Sequence, residues 1–321
     1  MGRRATANAT ANVTTKPKEA FAHPALFYQG PWEYLSETIP FIRAGLAADE
    51  PVAVAVPRPR LELLREALGD LAERVRLVDM SEAGRNPGRI IAEVLRAAVD
   101  AHPGKRVRVI GEPIWPGRSD LEYPACVQHE ALINMAFSGR SVTILCPYDV
   151  ANLDPVVIAE AAATHPTLIQ SGTSWPSLGY APEQIMTEHN RALPEPADAT
   201  VVPFDAGRLR RARRRAAEHA ERIGLAAERV DDVLLAVGEM AANSLRHGGG
   251  AGVLRLWADG EHVVYEVADS GVIDDPLVGR RPAAPGQLSG RGLLMVNHLA
   301  DLVRMHTTTE GTVVRAYFRL L

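Results

Sequence analysis

The chain has 321 residues, a formal net charge of −4, and 46% apolar against 23% charged residues. That length favours two domains over one core, and the balanced composition excludes a fibrous or low-complexity protein. The slight acidity argues against direct nucleic-acid binding, and no apolar run reaches the ~20 residues of a membrane span.

Residues 1–20, MGRRATANATANVTTKPKEA, have no apolar core of a secretory signal and read as a disordered tail. Its myristoylation-like start and its sequons at Asn8 and Asn12 are read as chance matches. Two cysteines, Cys126 and Cys146, are too few for a disulfide framework and fit a reducing cytoplasm. From about 20 to 170, apolar runs at 51–57, 74–80, 106–113 and 141–149 alternate with helix-like segments near 60–70, 88–101, 120–137 and 154–164. That alternation predicts a mostly parallel α/β sheet with helices on both faces, over residues 21–170. Residues 171–204 are dense in Ser, Gly and Pro and read as a linker with a short helix at 182–191. From 205 the pattern changes. A helix with Asp205 as N-cap is followed by a helix at 229–247, strands at 252–258 and 262–268, a helix at 291–301, and strands at 302–307 and 311–319. This order predicts an α+β sandwich with helices on one face of one sheet.

The second half carries an ordered set of motifs. In GEMAANSLRHGG (238–249), Glu239, Asn243 and His247 fall on one face of an otherwise well-packed helix. The strand HVVYEVADSG ends at Asp269, Ser270 and Gly271; Gly290, Arg291 and Gly292 open an apolar helix; Gly311-Thr312 turns into the last strand. A glycine-rich helix entry suits an anion, because backbone N–H groups and the helix dipole converge there.

Taken together, residues 205–321 resemble the GHKL family of ATP-binding domains, with a Bergerat-type α/β sandwich, shared by gyrase, a heat-shock chaperone, histidine kinases and bacterial anti-sigma factors. Glu239-to-Asn243 looks like the family's N box, Asp269-Ser270-Gly271 its first glycine box, Gly290-Arg291-Gly292-Leu293 its second, and Gly311-Thr312 its final box. The resemblance implies ATP and Mg²⁺ as cofactors. Asn243 would hold the Mg²⁺, Asp269 would accept from the adenine amine, and Gly271 belongs to the same box. Gly290, Arg291 and Gly292 would offer N–H groups to the phosphates, Thr312 would support the adenine contacts, and Glu239 would be the general base. His247 has no role to carry over and reads as a satisfied histidine at a helix C-terminus. Two departures stand out: Ile273 replaces the second glycine of the first glycine box, and the segment 272–289 is short and proline-containing.

No long dimerisation hairpin precedes the N box, and His219 reads as a solvated surface residue, which disfavours a histidine kinase. The compact arrangement is most similar to the anti-sigma factor/serine protein kinase branch. Its implied partners are a sigma factor and a STAS-type anti-anti-sigma antagonist; serine/threonine kinase activity and a homodimeric state are options it leaves open. Six arginines in 208–215 form either a solvated helix face or a docking surface for an acidic partner.

In the first half, HPALFYQGPWEYL, VIGEPIW, HEALIN and CPYD, with the later His165-Pro166, resemble the MEDS sensory domain. That domain implies a RecA/KaiC-like α/β fold without a phosphate loop, fused to a signalling output and sensing a small molecule. Since ligands of open α/β sheets bind beyond the strands' carboxyl ends, the sensor-site candidates are Glu112, Trp115, Cys126, His129, Cys146, Tyr148 and Asp149. A zinc site drawing on Cys126, His129, Cys146, His23 and His165 is a weaker option, against buried cysteine and locally bonded histidines. The expectation is thus a cytoplasmic signalling regulator, an ATP-binding anti-sigma factor controlled by a sensor domain. The alternatives are a non-catalytic nucleotide-binding interaction module and a reduced sensor histidine kinase.

Overall fold

The computed structural model describes residues 21–282 and 290–320. The expected tail 1–20 and part of the segment before Gly290 lie outside the described residues. The run PVAVAVP forms strand β3, introduced below, whose Ala53 and Ala55 enter one core while Val52, Val54 and Val56 enter another. Burial on both faces is what an unbroken apolar strand demands.

In chain order the first part comprises β1 (Phe21–Ala22), β2 (Pro24–Tyr28), α1 (Gly30–Ala47), β3 (Val52–Val56), α2 (Arg58–Leu68), β4 (Arg76–Asp79), α3 (Met80–Ala83), α4 (Pro87–Arg89), a π-helical turn (Ile90–Leu95), α5 (Arg96–Asp100), β5 (Val107–Gly111), α6 (Tyr123–Ala136), β6 (Val142–Asp149), α7 (Pro155–Thr164), β7 (Thr167–Gln170), β8 (Thr173–Pro176) and α8 (Pro182–Glu188). The strands form one sheet in the order β4-β3-β5-β6-β2-β7-β8, with β1 also on β6. All pairings are parallel except β7 with β8. One face packs under α5, α6 and α7, the other under α1 and α2.

The second part comprises β9 (Thr200–Asp205), α9 (Leu209–Ile223), α10 (Ala227–His247), β10 (Ala251–Ala258), β11 (His262–Asp269), α11 (Gly292–Leu299), β12 (Leu302–Thr308) and β13 (Gly311–Arg319). Its antiparallel sheet runs β12-β13-β11-β10-β9. One face carries α9, α10 and α11 over Leu254, Tyr265, Val267, Ala316 and Phe318.

Three expectations change. Residues 171–204 hold more than the expected short helix, which is α8: Ser171 and Gly172, both at positive φ, turn the β7–β8 hairpin, and β9 joins the second sheet. The Ser, Gly and Pro that suggest a linker are turn residues between short elements. Asp205 ends β9, and its Oδ1 accepts from Arg208 N (3.0 Å), so it shapes the turn before α9 rather than capping a helix at 205. His219 is buried, with Nδ1 3.5 Å from Tyr265 Oη, and burial lowers its pKa. The small-residue stripe Ala212, Ala216 and Ala220 lets α9 lie close on the sheet and draws His219 in with it.

The second sheet's other face is covered by the first part of the chain. Val264, Leu302 and Tyr317 pack with Leu121 and Ala125. Asp301 binds Arg85 (2.8 Å) and Arg229 (2.5 Å), and buried Asn86 donates to Asn297 O (2.8 Å).

Candidate functional site

Helix α10 buries Val233, Val237, Met240, Ala241 and Ser244. Glu239, Asn243 and His247 run along a more open side of the same helix. The register of β11 with β13 sets Asp269 opposite Thr312. Around Asp269 the hydrogen bonds close tightly. Ser244 Oγ donates to Oδ2 and Gly271 N to Oδ1 (2.8 Å), while Thr312 Oγ1 donates to Gly271 O (2.8 Å). Thr307 Oγ1 lies 2.8 Å from Thr312 Oγ1 and accepts from Ile273 N (3.2 Å). Each carboxylate oxygen of Asp269 retains acceptor capacity after these bonds.

Two glycines permit the approach. A Cβ on Gly248 would sit 2.3 Å from Asp269 Cγ, and one on Gly292 would sit 2.8 Å from Glu239 Oε2. The start of α11 therefore touches the polar stripe of α10. Asn243, Asp269, Gly271, Gly290, Gly292 and Thr312 line one cleft of ≈ 390 Å³ whose apolar walls include Met240, Val267, Leu293 and Val314. Glu239 lies at the edge, its Oε2 2.8 Å from where a Gly292 Cβ would stand and 4.0 Å from Arg246 Nη2. Arg291 occupies the N-cap of α11 and is exposed. His247, the last residue of α10, is exposed and lines the cleft. An apolar wall for a flat ring, a half-buried carboxylate and a helix N-terminus opposite an asparagine amide together suit a nucleotide and its metal. Ser244 and Thr307 were not legible beforehand. Only the tertiary contacts show them holding Asp269 and Thr312.

The sensor-site candidates separate into groups. Glu112 just after β5, Asp149 at the end of β6 and Tyr28 at the end of β2 meet at the strands' carboxyl ends, where Tyr28 Oη donates to Glu112 Oε1 (3.3 Å) and Arg60 pairs with Asp149 (3.0 Å). Burial raises the Glu112 pKa to about 8. Cys146 and Tyr148 point into the opposite core, Cys146 beside His23 and Tyr148 with its ring edge on His165. Cys126 and His129 are buried on α6, where burial moves their pKa values to about 11 and about 3 respectively. Trp115 stacks under the Arg118 guanidinium (3.9 Å).

The segment after Asp269 joins the two parts. Leu277 packs in the core of the parallel sheet, and Arg280 is buried there, its pKa lowered to about 10 by desolvation. Ile273 and Asp274 line both the cleft and a second cavity of ≈ 280 Å³ bounded by Gln128, Leu132, Met186 and Asn190.

Residues 22–166 match the family described as MEDS, the methanogen/methylotroph DcmR sensory domain, and residues 202–318 match the histidine kinase-like ATPase domain. Among solved structures, one described as the crystal structure of the RsbU and RsbW domains of Rv1364c from Mycobacterium tuberculosis is 22% identical, with a TM-score of 0.30. The match covers 39% of this chain and 33% of that one, so this chain spans about a third of its length. No curated protein matches. Among the described residues, no helix is long and apolar enough to cross a membrane. The chain therefore carries an N-terminal MEDS domain and a C-terminal histidine-kinase-like ATPase domain, and the ATPase domain implies nucleotide binding.

Proposed function

We propose that this chain, a MEDS domain followed by a histidine-kinase-like ATPase domain, is an ATP-binding anti-sigma factor whose nucleotide site is controlled by the sensory part, residues 21–170 acting on residues 205–321. The observation that carries the reading is the convergence of Asn243, Asp269, Thr312 and four glycines on one cleft, with Glu239 at its edge. In this reading Asp269 accepts from the adenine amine, and the N–H groups at the start of α11 receive the phosphates. Asn243 would hold Mg²⁺ through its amide oxygen; the ion would neutralise phosphate charge. Glu239 takes the proton of an attacking serine or threonine hydroxyl of the antagonist. A new O–P bond forms to the γ-phosphoryl group as the bond to ADP breaks.

Support for control by the sensory part comes from the segment 272–281. Its Leu277 and Arg280 are anchored in the first domain, and its Ile273 and Asp274 wall the cleft. A small molecule entering the cavity beside Gln128 and Met186 would press on the same segment. The six arginines of 208–215, Arg208 at the N-cap of α9 and five on α9 away from its alanine stripe, offer a docking face for an acidic partner.

Calorimetry of Mg·ATP binding with the wild type, Asn243→Ala and Asp269→Ala is the first test, followed by capture of a sigma factor with ATP present. Binding lost in both variants supports the reading; an unimpaired Asn243→Ala removes the metal role. A second reading, a nucleotide-binding interaction module without chemistry, is favoured by Ile273, which packs against the ATPase core where the family has glycine. Glu239→Ala with all partner-linked activity intact would decide for it. The burial of His219 counts against a histidine kinase.

A further inference from the structure

Four side chains that no step above uses meet inside the MEDS domain. His23 lies between β1 and β2, Glu130 on α6, Cys146 on β6, and His165 directly after α7. All are 0–1% exposed. One ligand atom from each lies within 4.8 Å of every other.

The hydrogen bonds around them fix which atoms face inward. Asn134 donates its amide nitrogen to Thr164 O (2.7 Å), which turns its Oδ1 toward His23 Nδ1 (3.1 Å). His165 Nδ1 lies 2.8 Å from Ala161 O, a group that only accepts. Both imidazoles therefore carry their proton on Nδ1, and both Nε2 lone pairs point at the centre. There they meet Glu130 Oε2 at 3.3 Å and 3.2 Å, and Cys146 Sγ lies 3.4 Å from His23 Nε2. Two lone pairs thus converge on a carboxylate. Both Glu130 oxygens and His165 Nε2 have no hydrogen-bond partner among the described residues. The Cys146 thiol can serve His23 Nε2, but in a dry core the remaining lone pair on the carboxylate is unfavourable unless a proton or a metal ion sits between them.

We propose that His23, Glu130, Cys146 and His165 are the ligands of a zinc ion. With ligand bonds of about 2.0–2.3 Å, neighbouring donor atoms of a tetrahedral site stand roughly 3.3–3.6 Å apart, close to the three separations above. One thiolate and two imidazoles select a borderline-soft ion over Mg²⁺ or Ca²⁺. The charges also close: carboxylate, thiolate and Zn²⁺ sum to zero, which suits complete burial. Cys146 binds as the thiolate, so its proton leaves to solvent as the ion enters. Four protein ligands leave no open position, so the ion ties β1–β2, β6, α6 and α7 together rather than performing chemistry. Asn134 and Ala161 O are the outer groups that aim the two rings.

Of the five residues weighed for zinc from the sequence, His23, Cys146 and His165 fall in this cluster. Cys126 and His129, three residues apart on α6, are not in this cluster, whereas Glu130 is.

The test uses the full chain. Zinc content is measured by mass spectrometry on the purified protein; the metal is then removed with a chelator, and Co²⁺ is titrated in while absorption is recorded. The expected result is about one zinc per chain, and a cobalt adduct showing tetrahedral bands and a thiolate-to-metal charge-transfer band. Cys146→Ser should abolish the charge-transfer band while Cys126→Ser keeps it. Asn134→Ala should weaken Co²⁺ binding by about 10–100-fold, the usual effect of an outer hydrogen-bonding group. A wild type that is folded by circular dichroism yet neither carries zinc nor binds Co²⁺ overturns the proposal. So does a charge-transfer band that survives Cys146→Ser, or one that only Cys126→Ser removes.

Discussion

Asp269→Asn asks the sharpest question of the nucleotide cleft, because it changes one atom's polarity and almost no volume. Gly271 N donates to Oδ1, which holds the amide oxygen of the variant in that place and puts the new NH₂ at Oδ2. Ser244 Oγ, which donates to Oδ2 in the native chain, can reverse and accept. The local fold should survive, with a melting temperature close to that of the wild type. With the adenine amine taken on Oδ2, the oxygen not held by Gly271 N, the variant would present it with a donor. Loss of a hydrogen bond to a charged acceptor costs about 1.5–3 kcal/mol, or roughly 10–150-fold in affinity. Guanine has a carbonyl at the corresponding ring position, so the variant should gain on GTP while it loses on ATP. Calorimetry with both nucleotides, with Mg²⁺ present, reads the two changes together. Equal ATP affinity in the folded variant, or parallel losses for ATP and GTP, would refute the role given to Asp269.

Other outcomes follow from the same geometry. Glu112→Gln should flatten a pH dependence: buried Glu112 keeps its proton up to about pH 8 in the native state, whereas an unfolded chain loses it near 4.5. Its stabilising contribution is therefore complete below the unfolded value and fades as pH rises toward 8, which urea midpoints across that window would report. Asn86→Ala removes a donor to Asn297 O and the cap on Gly88 N (3.0 Å). The cost should be about 1–3 kcal/mol, seen in calorimetry as earlier melting, and an unchanged melt would mean the contact carries nothing. Leu277→Ala strips an anchor whose burial is worth about 2–5 kcal/mol. Cleavage of the segment 272–281 by protease should accelerate while the rest of the chain resists. Gly248→Ala would push a methyl into Asp269 Cγ, and Gly248 also lines the cleft, so ATP binding measured by calorimetry should weaken.

Much of the architecture was legible because it is written in local periodicity. The apolar runs became β3, β4, β5 and β6, and the helix carrying Glu239 and Asn243 became α10, since strand burial and helix faces are set by neighbours in sequence. β2 and α1 were read only as a motif. All five residues of β2 are buried, so it shows no alternation, and a proline at the start of α1 and another within it break the helical pattern. The segment 171–204 misled for a related reason: turn residues look alike whether they join two strands or two domains.

The composition and order of the candidate cleft were carried by the sequence, as four short motifs in a fixed succession. Their meeting was not. Asp269 stands beside Thr312 only through the β11–β13 register, and Ser244 reaches Asp269 only because α10 crosses that strand end. The same holds for His23, Glu130, Cys146 and His165, which span 143 positions and share no spacing rule. It holds also for Leu277 and Arg280, whose anchoring in the other domain nothing local announces. Helix and strand faces follow from side chains a few residues apart, whereas a site is made where distant elements desolvate one another. Only the folded chain decides which polar groups are left there facing each other.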